Sequence, residues 1–191
     1  MSRVFVSGWG AVSPAGWGVA PFREALQRGL PLPSQPLARP GWDQPLAARL
    51  VPAPAARPAF LSHPRLRRSS PITQYAAAAA LEALGTEAAG APAPQRLGLI
   101  LCLQSGCVQY SHRFYTEVLE NPATASPLLF PETVFAGPAS HVAALLPAVS
   151  VVHTLVGDPA MFLQGVALGA DWIAEGQVDG CLVVGAEETN W

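Results

Sequence analysis

Residues 149–188, VSVVHTLVGDPAMFLQGVALGADWIAEGQVDGCLVVGAEE, constrain the fold more than any other stretch. The run 149–156 is apolar and carries four valines, the composition of a strand buried on both faces. Gly157 permits a tight turn, Asp158 suits an N-cap, and Pro159 suits the first helical position, where its missing N–H is no loss. Phe162, Leu163, Val166, Ala167, Ala170 and Ile173 then recur at helical spacing. Gly176 ends the helix, and 181–184 reads as a second buried strand. A helix between two such strands makes a βαβ unit with a right-handed crossover, so the two strands are expected side by side and parallel. The N-terminus of the connecting helix has unpaired amides and a positive dipole end, where a thiol would be acidified. This chain places Pro159 there.

Composition narrows the function classes. Half of the 191 residues are hydrophobic and 13% are charged, enough for a sizeable core. A net charge of −2 gives no reason to expect nucleic acid or an anionic membrane as partner. No apolar run reaches the length of a bilayer span, and MSRVFVSGWG at the start lacks a signal-peptide core. Three widely spaced cysteines fit a reducing compartment, so a cytoplasmic location is expected. Neither H-E-x-x-H nor C-x-x-C occurs, so no metal and no cofactor is expected.

The remaining elements follow in order. Residues 4–7 read as a short buried strand, 8–18 (GWGAVSPAGWG) as a glycine-rich connection, and 21–28 as a short amphipathic helix with Phe22, Ala25 and Leu26 on one side. The segment 30–71 is proline-rich and aperiodic, a surface excursion with a short strand near 47–51. Its basic spot, His63-Pro64-Arg65-Leu66-Arg67-Arg68, reads either as a solvated loop or as a docking point for an acidic partner. Ser70 reads as the cap of an alanine-rich helix over 71–84, closely packed on a neighbour, and 85–95 as a loop. A buried strand over 97–103, a helix over 107–119 and a helix over 133–146, interrupted near Pro138, lead into the βαβ unit. This alternation predicts an α/β fold, a mixed and mostly parallel sheet covered by helices on both faces.

Four stretches in this order resemble the N-terminal half of β-ketoacyl-[acyl carrier protein] synthases. They are VFVSGWGAVSPAGWGV, SSPITQYAAAAALEAL, SPLLFPETVFAGPASHVA, and the βαβ unit with Gly176, Asp179 and Gly185-Ala186-Glu187. The resemblance implies a thiolase-like half as the fold, spanning 1–191 as one domain with the excursion at about 30–71. It also implies where chemistry should sit. Counted from Gly176, Asp179 and Glu187, the family's nucleophilic cysteine falls at Pro159, and the asparagine usual in the third stretch is Ala136. The family's two histidines and lysine belong to its C-terminal half and have no counterpart in this sequence.

The other candidates are weaker. Cys102 and Cys181 lie in predicted buried strands and read as small hydrophobes. Cys107 opens a helix after a glycine turn, a setting that lowers a thiol pKa, and is the alternative nucleophile, although no base is assigned to it. His141 and His153 read as core histidines bonded to backbone. Asp158 reads as a cap rather than a base, and Glu187 as a structural acceptor; Glu187 and Glu188, being adjacent, make a poor acid–base pair.

The resemblance therefore implies a non-catalytic, chain-length-factor-like subunit or scaffold in bacterial fatty-acid or polyketide biosynthesis. The alternative is the N-terminal portion of a β-ketoacyl-ACP synthase, an acyltransferase whose chemistry a C-terminal half or partner chain completes. A third reading is a decayed reading frame without function. Expected partners are a second copy or an active ketosynthase, and an acyl carrier protein. A half-fold this apolar is expected to expose a hydrophobic patch.

Overall fold

The computed structural model describes residues 3–38, 41–85 and 94–189. The chain begins with a two-residue ribbon, β1 (Val12–Ser13) antiparallel to β2 (Gly16–Trp17), and α1 (Val19–Arg28). A second ribbon pairs β3 (Gln35–Leu37) with β4 (Leu46–Ala48), and 3-10 turns at Ala59–Ser62 and Pro64–Leu66 lead into α2 (Pro71–Gly85). Then come β5 (Leu97–Leu103), α3 (Val108–Glu120), a 3-10 turn at Phe130–Glu132, α4 (Gly137–Leu145), β6 (Val149–Val156), α5 (Met161–Ala174) and β7 (Gly180–Gly185). The loop expected over 85–95 lies mostly outside the described residues.

The core is a three-stranded parallel sheet in the order β6-β5-β7, with helices on both faces. Every residue of β5 is buried, as its unbroken LGLILCL sequence demands. Its side chains divide between two layers. Leu97, Leu99, Leu101 and Leu103 meet α2 and α4 through Ile72, Ala76, Ala77, Ala80, Ala139 and Val142. Ile100 and Cys102 face α5 and Trp172. Alanine on α2 and α4 lets those helices approach closely. On α5 two glycines do the same: a Cβ on Gly165 would sit 2.7 Å from Cys102 Sγ, and one on Gly169 would sit 2.9 Å from Cys181 Sγ.

Several expectations are corrected. The strands β6 and β7 are parallel but not neighbours, because β5 lies between them and takes a ladder on each side. As an edge strand, β6 is not buried on both faces; Val152 and Val156 are exposed. Residues 4–7 form no strand. They pair with none of the sheet strands, and Phe5 and Val6 stand 74% and 87% exposed. On α5 the face toward the sheet is Gly165, Gly169 and Trp172, while Leu163 and Val166 of the apolar stripe point outward and the half-exposed Phe162 ring lies over Gly185 at the end of β7. The strand expected near 47–51 falls at Leu46–Ala48, and Pro138 sits in the first turn of α4 rather than interrupting a longer helix.

Candidate functional site at the carboxyl end of the sheet

In a parallel α/β sheet, ligands bind in the crevice outside the carboxyl ends of the strands. Three segments leave that end here. They are 104–107 after β5, 157–160 after β6, and 186–189 after β7.

The first and third segments are tied together. Glu187 accepts the N–H groups of Gln104 and Ser105, the latter at 3.2 Å, as the structural acceptor role requires. Glu188 reaches further. Its Oε2 accepts the Ile72 N–H at 3.1 Å and its Oε1 the Gln109 N–H at 2.9 Å. Those amides lie in the first turns of α2 and α3, so one carboxylate serves two helix N-termini. Burial raises the Glu188 pKa above the ordinary glutamate value, against the lowering effect of the two amides. Distant glutamates recur as caps. Glu82 on α2 accepts the Ala11 N–H at 3.0 Å and the Val19 N–H at 2.8 Å, holding the N-terminal ribbon and the start of α1.

Ser70 is not a conventional N-cap. Its hydroxyl pairs with Thr73 Oγ1 at 3.0 Å and donates to Cys107 Sγ at 3.5 Å. Cys107 stands at the N-cap position of α3, the sequence position foreseen, but is 2% exposed. Burial pushes its thiol up to about 11, the opposite of the acidification that a helix start favours. Burial also raises Cys102, and pushes Cys181 up to about 11. Each of the three free thiols is disfavoured as a thiolate.

The second segment is open. Asp158, Pro159 and Ala160 are exposed. The helix starts two residues later than expected, at Met161, with Ala160 as N-cap. Asp158 therefore does not cap α5. Its Oδ1 accepts the Ala160 N–H at 2.8 Å, a local Asx turn, and its carbonyl accepts the Met161 N–H at 3.0 Å. Pro159 sits at the crest of this turn, next to the helix start, and brings no ionisable group.

The histidines differ from expectation. His141 bonds Glu132 Oε1 through Nε2 at 2.8 Å, rather than backbone, while His141 Nδ1 and Glu132 Oε2 are buried with no partner among the described residues. His153 is exposed on β6, its ring edge-on to Trp172 at 6.2 Å. Ala136 is the exposed residue before α4. The shared use of Glu188 by two helices was missed from sequence, because nothing local to Ile72 or Gln109 indicates a partner more than 70 residues away. Among the described residues no helix is long and apolar enough to cross a membrane, and no group of three or more His, Cys, Asp or Glu side chains is placed to hold a metal.

Comparison with known proteins bears on this geometry. No protein-family model matches the sequence. No curated protein matches it either. Solved structures do. The chain is similar to the ishigamide ketosynthase/chain length factor, 20% identical over 97% of this chain and 52% of that one, with a TM-score of 0.73. It is similar to a β-ketoacyl synthase from Burkholderia phymatum STM815, 24% identical over 100% of this chain and 48% of that one, TM-score 0.76. It also matches a type II PKS acyl-carrier protein in complex with its ketosynthase bound to the hexaketide, 17% identical over 96% of this chain and 51% of that one, TM-score 0.76. The fold is thus that of the thiolase-like ketosynthases. The chain spans about half the length of these solved chains.

Proposed function

We propose that this chain is a ketosynthase-like, chain-length-factor-like subunit or scaffold of bacterial fatty-acid or polyketide biosynthesis, without condensing activity of its own. One observation carries the reading. The open turn before α5 presents Pro159, while the thiol at the start of α3 is buried, and burial pushes its pKa up to about 11. A proline neither ionises nor attacks, and a buried neutral thiol is inert. The similarity to a ketosynthase/chain length factor supports a role beside an active ketosynthase. Residues 1–191 then act as one ketosynthase-like domain, with the excursion at about 30–71 on its surface.

The outer surface supports a protein partner. Leu163 and Val166 of α5 point away from the sheet, with Leu163 70% exposed, and among the described residues β6 has a free edge. In this reading those elements are covered by a second copy or by the active ketosynthase. Light scattering at tens of micromolar (about the range of ordinary interfaces) should show an assembly rather than a 19.9 kDa monomer. A monodisperse monomer would count against the partner.

The basic spot supports a carrier protein as a further partner. Arg65, Arg67 and Arg68 are exposed around the buried Leu66, and 44–81 contains no aspartate or glutamate. A surface of one sign steers an oppositely charged partner. Replacing the three arginines by glutamate should abolish binding of an acidic acyl carrier protein at low salt; unchanged binding would place that partner elsewhere.

The coverage of about half of each matched chain favours a second reading, an N-terminal portion of a β-ketoacyl-ACP synthase whose other half supplies the remaining groups. A downstream continuation with two histidines would favour it.

A further inference from the structure

We draw no further inference here: the strongest candidate, the exposed apolar patch that Tyr115 and Leu119 of α3 form together with Leu128 and Phe130 of the segment after it, carries none because nothing in the structure shows what covers it.

Discussion

Two turns leave the same end of the sheet and are built in opposite ways. The turn after β5 is locked. Glu187 holds two of its amides, Glu188 holds the start of the following helix, and Gly106, at φ 72°, lies against the ring of Phe135. The turn after β6 is held mainly by Asp158 within itself and stands in solvent. The locked turn owns a thiol that the fold has buried; the open turn carries a proline two residues ahead of the helix it leads into. A nucleophile needs access, a lowered pKa and a reactive atom together. Neither turn has all three.

The largest expected contrast is chemical. With iodoacetamide at neutral pH, native Cys107 should remain unlabelled, whereas Pro159→Cys should be labelled at position 159. A thiol near its ordinary pKa has on the order of a hundredfold more thiolate than one at about 11. The Asp158 carboxylate works against the new thiol by raising its pKa, so adding Asp158→Asn to Pro159→Cys should speed labelling further. Peptide mapping reads both sites, and rapid labelling of native Cys107 would erase the contrast.

Next in size is the clamp. Glu188→Ala removes the acceptor of two helix-terminal amides and should lower unfolding stability by about 2 kcal/mol in a urea titration. Asp158→Ala, which frees one exposed amide, should cost about 0.5 kcal/mol. Equal losses would mean that the two turns are not differently held.

The glycines sharpen the same comparison. Gly106→Ala meets both a left-handed backbone and Phe135 ring carbons at 2.8 Å, and should cost about 2 kcal/mol. Gly157→Ala meets the flexible Met161 side chain at 2.6 Å, with no left-handed φ, and should cost less than about 1 kcal/mol.

The smallest effect is a pH dependence. The folded-state pKa of Glu188 is raised, chiefly by burial. Its contribution to stability is therefore fully present below the unfolded glutamate pKa and is lost as pH rises through the folded value. The stability of the native chain relative to Glu188→Gln should accordingly fall as pH rises above the ordinary glutamate pKa of about 4.3. A difference that stays flat with pH, or rises, would contradict the burial of this carboxylate.

Much of the scaffold was legible in the sequence. The bounds of β5 and β6 match their apolar runs, and the alanine-rich run is α2. Composition reported strand character correctly for 149–156 but not its place in the sheet, because an edge strand and a central strand can share a valine-rich sequence. It failed at 4–7, where strand-forming residues exist but pair with no strand of the sheet and stay largely exposed. On α5, periodicity found the bulky stripe, yet the packing face is set by the absent side chains of Gly165 and Gly169. The glycine turn in the sequence put Cys107 at the start of a helix, as found, but its burial is tertiary, arising where α2, α3 and the segment after β7 converge.

The proposed non-catalytic role requires that the chain form no acyl-enzyme, and intact-mass spectrometry tests that directly. The native chain, incubated with acyl carrier protein thioesters, should keep its unmodified mass. Pro159→Cys serves as the comparison chain; even if it gains an acyl group, it should not carry out condensation, because catalytic groups that act as a unit fail together. A stable acyl adduct on the native chain, mapped to Cys107 or to any other residue, would contradict the non-catalytic reading and favour the enzyme.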